Sequence, residues 1–424
     1  MLKRALGLWH ITLMSVGVIL GAGIYVIIGE AAGLSGAGLW LSFIFAALVA
    51  SFTGLSYAEL ASRFPHAGAE YVYIVNSFGR TLAWITGWLL IVSSVIAAAT
   101  VAVGFANYFS ALFHTTVIVI AIATVLVCGI ILIAGIKETA FITILFTVIE
   151  VSGLIIIILI GVPYLGSVDY MELANGLQGV IEAGVLIFFS YIGFESIARL
   201  AEETREPERT IPKAILLSIA ITTVIYILVG IAAVSVVPWQ DLAQAEAPLG
   251  LVAQRAYGDQ LFAVLSVIAL FSTFNTVLIL LLSGSRLVYG IAEYRALPRV
   301  FLSVSKKLRT PWFAIISVVL ASLCFVFVGD LATIANLANF TVFIIFLLVN
   351  AAVIYLRYKE PVVSGFKTPI TIGKLPLLPL FGLVTSLFML FNLPLDVLAK
   401  GSALVLLGFI VHIILKVSVK EELF

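Results

Sequence analysis

The chain has 424 residues, 62% of them hydrophobic and only 11% charged, with a mean hydropathy of +1.22. Soluble domains carry about one quarter charged residues, so a soluble enzyme is excluded. A net charge of +1 supplies no global basic field for nucleic acid. Cys128 and Cys324 lie in separate apolar runs without metal-ligand spacing and read as inert buried thiols.

Windows of about 20 apolar residues, the length of a spanning helix, occur in chain order at 8–29, 37–60, 82–110, 115–134, 140–162, 178–200, 212–237, 260–290, 312–328, 331–356, 376–394 and 401–418. The first follows Lys3 and Arg4 but ends without a small-residue cleavage site, so it reads as a retained span and not a signal peptide. Between spans six and seven, RLAEETREPERTIPK (199–213) mixes both charge signs, with Pro212 expected near the first position of the next helix. Residues 238–259, with Pro238, Trp239 and Pro248 among Ala and Leu, form either an amphipathic cap over an outer vestibule or a surface loop. Spans nine and ten divide at Gly329-Asp330 almost without a loop.

Charge sets the expected topology. With the N-terminus inside, Arg63, Arg80, Lys137, the run Arg199 to Lys213, Arg295 to Arg309, Arg357 to Lys374, Lys416 and Lys420 all fall on the inner side. Of 23 Lys and Arg, only Arg255 and Lys400 reach outer connections, which carry Asp169, Glu172, Asp241, Glu246, Asp330 and Asp396 instead. Positive residues collect on the cytoplasmic side, so an even number of spans with both termini cytoplasmic in the cell membrane is expected. Spans one to five (8–162) and six to ten (178–356) form two sets of five. Because five is odd, the second set enters from the opposite side, as an inverted repeat, with helices 11 and 12 (376–418) outside it. The whole chain, 1–424, reads as one transmembrane transporter domain.

Two spans carry breaks at matching places in this repeat: Gly21-Ala22-Gly23-Ile24-Tyr25 in the first and Ser190-Tyr191-Ile192-Gly193-Phe194-Glu195 in the sixth. Unwinding a helix within a bilayer is costly unless the freed groups hold something, and paired interruptions point to a transporter binding site. The N–H groups of Ala22, Gly23 and Ile24, after Gly21, suit a carboxylate. The carbonyls of Phe189, Ser190 and Ile192 suit an ammonium. A zwitterionic amino acid matches both. Taken one span at a time, such glycines also serve close helix packing.

The segment GAGIY (21–25) resembles the amino acid–polyamine–organocation permeases, as do FFSYIGFESIARLAEETREPERTIPKAI (188–215), YAELASRFPHAGAEYVY (57–73), Gly87-Trp88 and SRLVYGIAEYRALP (285–298). The resemblance covers essentially the whole chain. It implies an all-α membrane protein of 12 transmembrane helices, a five-plus-five inverted repeat (LeuT-type) with discontinuous helices 1 and 6 and two extra C-terminal helices. It also implies alternating access for amino acids or related amines. The family's carboxylate site carries over to Ala22, Gly23 and Ile24, its amine site to Phe189, Ser190 and Ile192, and its aromatic gate to Phe188, Tyr191 or Phe194.

Two acids lie at bilayer depth, where an ionisable residue marks an ion or proton path by default. Glu150 is isolated in ITILFTVIEVSGLIIIILIG, at a place where proton-coupled relatives carry lysine. It either carries H⁺, ligates Na⁺ with the Val18 and Gly21 carbonyls and the Ser272 or Thr273 hydroxyls, or stays paired structurally. Glu195 is either a proton-sensitive element, as in some exchangers of this family, or a hydrogen-bonding support for the broken backbone. Asn275, Thr276, Asn336, Asn339 and Thr341 can face the cavity or join helices. No HExxH occurs, and His10, His66, His114 and His412 are scattered near helix ends and loops, so no enzyme, cofactor or metal centre is expected. The expected function is amino acid transport coupled to protons. The alternatives are sodium coupling, amino acid/amine exchange, a nucleobase or other small-solute carrier of the same fold, and a channel. Oligomeric state, monomer or homodimer, is open at this level.

Overall fold

In a bilayer interior every peptide N–H and C=O must find its partner within the protein, which makes the helix the form for long apolar runs. The computed structural model describes residues 6–65, 69–134, 139–293, 297–305, 310–359 and 365–421, with the side chains of 139–145, 199–203 and 416–421 outside that description. Lys3, Arg4, His66, Lys137, Arg199, Arg295, Lys306, Lys307, Arg309, Lys416 and Lys420 therefore lie outside the described residues or side chains.

The helices in chain order are α1 (Leu8–Ser35), α2 (Leu39–Arg63), α3 (Ala69–Phe78), α4 (Arg80–Phe113), α5 (Val117–Ala134), α6 (Thr139–Gly161), α7 (Gly176–Ile187), α8 (Pro207–Val236), α9 (Trp239–Gln244), α10 (Pro248–Tyr257), α11 (Asp259–Glu293), α12 (Trp312–Phe325), α13 (Leu331–Lys359), α14 (Leu377–Phe391) and α15 (Leu395–Glu421). A helix occupies every apolar window. Among the described residues nine helical stretches are long and apolar enough to cross a membrane, the first being the joined run Leu8–Arg63, and α12 and α14 are shorter apolar helices. The protein is a multi-pass helical membrane protein. Its only described strands, Thr371–Ile372 and Leu375–Pro376, pair antiparallel in a small ribbon.

Two packed groups organise the bundle. Helices α1, α2, α7 and α8 pack on one another, and α4, α5, α11 and α12 form the second group, with α13 against both α2 and α4.

Five features depart from the sequence expectation or refine it. The helix after the sixth span begins with Pro207, and Pro212 lies inside it. Pro212 has no N–H for the Glu208 carbonyl, and that carbonyl instead accepts the Ser62 hydroxyl at 3.1 Å. Helix α3 forms in what read as a connection, because Ala69, Glu70, Tyr73, Ile74 and Ser77 share one buried face at helical spacing. Residues 238–259 fold as α9 against α1 and α10 against α11, burying Leu242, Leu249 and Val252. Cys128 is buried but Cys324 is exposed: an apolar run that meets lipid is apolar on its outward face too, so apolar surroundings in sequence do not imply burial. The division at Gly329-Asp330 is held by the Asp330 carboxylate, which accepts the Thr333 N–H at 2.7 Å and so caps α13.

At one end of the bundle a buried ion pair joins α2, α13 and the segment before α14. Arg357 donates through Nε to Glu59 Oε1 at 2.7 Å and through Nη2 to Oε2 at 2.6 Å. Thr368 donates both its N–H and its hydroxyl to Glu59 Oε2, each at 2.8 Å, and its oxygen receives Arg357 Nη2. The pair is nearly closed to solvent, with side-chain exposures of 11% and 3%. Removing one partner of a buried pair strands the other, at a cost of about 3–5 kcal/mol. Arg357→Leu is therefore expected to lower the SDS-unfolding stability of the purified protein by roughly that amount; an unchanged midpoint would contradict this account of the latch.

Candidate substrate site

Both interruptions are present and they touch. In α1 only Gly21 leaves helical geometry, at φ −1° and ψ −170°. After α7, Phe188–Tyr191 form a single 3-10 turn, Ile192 is extended and Gly193 takes φ 134°, before 3-10 geometry resumes over Phe194–Glu203. A β-carbon on Gly23 would stand 2.7 Å from the Ser190 Cα, and one on Gly193 would stand 2.9 Å from Val18 Cγ1. Glycine is required at both positions: at Gly23 for close backbone approach, at Gly193 for the positive φ as well.

Tyr226, on α8 and fully buried, ties the breaks together. Its hydroxyl lies 2.6 Å from the Ile19 carbonyl and 2.9 Å from the Ser190 carbonyl, sharing one proton between a carbonyl beside the first break and one at the second. On the far side of the first break, the Tyr25 hydroxyl donates to the Glu150 backbone carbonyl at 2.8 Å, and Tyr108 donates to the Tyr25 carbonyl at 3.1 Å.

A cavity of about 190 Å³ lies between the breaks, bounded further by α2, α4, α11 and α13. Typical drug-sized sites span about 300–1,000 Å³, so this one admits a small solute. Of the expected binding residues, Gly21, Ala22, Gly23, Phe189, Ser190 and Ile192 line it, and Ile24 does not. The Ala22 N–H donates to Thr276 Oγ1 at 3.1 Å, and the Phe189 carbonyl accepts the Ile192 N–H at 3.3 Å. The walls are mostly apolar, with Ile279, Leu280, Val342, Ile345 and Phe346 prominent, and no described Lys or Arg borders them.

The proposed gate residues face elsewhere. Phe188 packs on Phe343 and Phe346, Phe194 packs on Tyr57 and Phe346, and the Tyr191 hydroxyl reaches the Phe43 carbonyl at 3.2 Å. The rings that border the cavity are Phe189, Tyr57 and Phe346. Glu195 also lines it and accepts the Gly193 N–H at 2.8 Å through Oε2, so it supports the broken backbone directly.

Glu150 lies outside the cavity, 1% exposed, facing the Ser272 hydroxyl. Glu150 Oε1 and Ser272 Oγ each lack a partner at hydrogen-bonding geometry. Thr273 donates to the Ala269 carbonyl of its own helix at 2.7 Å. Val18 and Gly21 border the cavity. Among the other polar residues, Asn275 and Thr276 line the cavity, Asn339 donates to the Val185 carbonyl at 2.7 Å, and Thr341 bonds within its own helix.

Tyr226, Tyr57 and the α13 wall were not singled out from sequence. The available signal was periodicity: Ser93, Ala97 and Val101 on α4, and Asn275, Ile279 and Ser283 on α11, recur at four-residue spacing along one face.

A multi-pass bundle with two touching broken helices around a small internal cavity defines a membrane permease in architecture. The sequence profile described as "Amino acid permease" matches residues 6–415. The branched-chain amino acid permease BcaP of Bacillus subtilis is 29% identical, over 97% of this chain and 92% of the relative. The methylthioribose transporter of the same organism is 27% identical over 93% and 89%, and the vacuolar cationic amino acid transporter 2 of Arabidopsis thaliana is 30% identical over 85% and 61%. The chain belongs to the amino acid permease family, within the amino acid–polyamine–organocation superfamily.

Leaving a buried carbonyl unpaired costs about 1–3 kcal/mol. Tyr226→Phe is expected to lose about that much unfolding free energy in detergent; a variant as stable as wild type would show that the hydroxyl does not tether the breaks.

Proposed function

We propose that the protein is a secondary active transporter of small neutral, aliphatic amino acids, with the zwitterion head held between the two breaks. The observation that carries this reading is the cavity bounded by Gly21–Gly23 on one side and Phe189–Ile192 on the other. The ligand carboxylate takes the Ala22 and Gly23 N–H groups, displacing the Thr276 hydroxyl from Ala22. The ammonium is received by the carbonyls of Phe189, Ser190 and Ile192. An apolar wall without Lys or Arg favours an aliphatic side chain over an acidic one, and similarity to branched-chain permeases supports the same substrate class.

The reading includes twelve spans in the cell membrane, both termini cytoplasmic, with 8–162 and 178–356 as inverted repeats and 376–418 outside them. The pairing of α1 with α7, α2 with α8, α4 with α11 and α5 with α12 supports it, because each pair joins elements five spans apart. Transport proceeds by alternating access as the group containing α1, α2, α7 and α8 rocks against α4, α5, α11 and α12. Of the three roles open to Glu150, the lone oxygen facing Ser272 favours the proton site: a carboxyl without a permanent partner is free to change its protonation between the outward and inward states. The same two unpartnered oxygens support a second reading, Na⁺ held by Glu150 and Ser272 or Thr273 with the Val18 and Gly21 carbonyls.

Uptake of L-leucine into proteoliposomes separates these readings. A pH gradient is expected to drive accumulation without Na⁺, and Glu150→Gln is expected to keep binding and lose that accumulation; accumulation driven by Na⁺ alone would assign sodium. Gly23→Leu is expected to abolish leucine binding, since its side chain would enter the contact with Ser190. Wild-type affinity in that variant would reject the site.

A further inference from the structure

Gly21 does more than interrupt α1. Its ψ of −170°, against about −42° in a helix, swings the next peptide out of the helical line, and the N–H of that peptide belongs to Ala22. It points across to α11, where Thr276 Oγ1 accepts it at 3.1 Å. The same hydroxyl donates its own proton to the Ser272 carbonyl, one turn earlier on α11, at 3.0 Å. Thr276 is half-buried and lines the central cavity, so a solute between the breaks meets this side chain.

Two hydrogen bonds on one oxygen restrict how that oxygen can leave. Rotation of the Thr276 side chain away from Ala22 also forfeits the Ser272 carbonyl. Movement of α11 away from α1 frees the Ala22 N–H and keeps the bond to Ser272. The two helices are in contact, and they belong to the two groups that rock against each other on the reading above. The turn that carries Thr276 also presents the Ser272 hydroxyl to Glu150. Displacing that turn therefore moves the oxygen that the candidate coupling carboxyl faces.

Resting on the zwitterion reading of this cavity, we propose that Thr276 is a built-in competitor for the substrate carboxylate. It satisfies the Ala22 N–H while the site is empty, and it ties the two groups together until a carboxylate takes its place. It also lowers the affinity for every ligand that needs that N–H. A carboxylate wins the exchange because its charge-assisted hydrogen bonds are about twice as strong as those to a neutral acceptor. Without the hydroxyl, the N–H stands unsatisfied in the empty protein and favours any acceptor that reaches it. Loss of the hydroxyl therefore tightens binding. A Thr276 that donated to the ligand, or that only packed beside it, would have the opposite effect or none.

The test combines equilibrium binding of L-leucine to the purified full-length protein with hydrogen exchange of the Ala22 amide. Thr276→Val and Thr276→Ala are expected to bind leucine about tenfold more tightly than wild type, near the lower end of what one unsatisfied buried N–H represents. Thr276→Ser is expected to keep the wild-type affinity. In ligand-free Thr276→Val and Thr276→Ala the Ala22 amide is expected to exchange about tenfold faster than in wild type, and leucine is expected to restore slow exchange. Equal or weaker leucine binding by the folded Val and Ala variants, or an Ala22 amide that exchanges in them at the wild-type rate, overturns the proposal and leaves the zwitterion reading standing. Leucine that fails to bind wild type rejects that reading, and this proposal with it.

Discussion

One phenol hydroxyl, that of Tyr226, holds two interrupted helices against each other in the middle of an apolar bundle. The constraint behind it is that peptide groups released from a helix inside a membrane have no water to turn to. Tyr226 meets that need for Ile19 and Ser190 at once, and in doing so brings Gly23 against Ser190 with no room for a side chain. The cavity is the space left where the other released groups turn away from this contact. Its shape therefore depends on a residue that does not line it.

The two ends of the bundle are built from opposite electrostatic materials. At one end Glu59, Arg357 and Thr368 satisfy one another in a closed network that ties α2 and α13 to the segment before α14. In the closed network each partner depends on the other, since removal of one strands the other in a buried position. At the other end, Glu30 and Glu182 border an open cavity that no described Lys or Arg lines, with Asp330 near Glu30. The proposed zwitterion site lies between them, bordered by neither.

The polar groups of the central cavity are already partly engaged with the protein itself. Thr276 occupies the Ala22 N–H, and Glu195 the Gly193 N–H. Such internal partners keep the broken backbone from standing unsatisfied, and on the proposed reading a ligand exchanges with Thr276 instead of filling an unbonded gap. Glu150 differs. Its carboxyl faces Ser272 with one oxygen unpaired, and its backbone is bonded to Tyr25 immediately past the first break. That connection places the candidate coupling group one hydrogen bond from the helix that bends.

The helices were legible in sequence because the rule that makes them is local: an apolar run of spanning length in lipid has few alternatives to the helix, and every predicted window holds one. Both breaks were legible for the same reason, since glycine at Gly21 and Gly193 is a backbone statement made by the residue itself. The start of α8 was misplaced because what makes Pro212 tolerable inside a helix is Ser62, 150 residues earlier, accepting the role of the missing donor for Glu208. Helix α3 was missed because its buried face exists only in the folded bundle, against α4, α13 and the rings of Tyr57 and Phe64. What the sequence alone determined was that this chain lies in a membrane, which segments are helical and where two of them break. Which side chains face those breaks was decided by tertiary structure, because in a helix apolar on all sides composition does not distinguish the face that meets lipid from the face that meets Tyr226, Asn275 or Phe346.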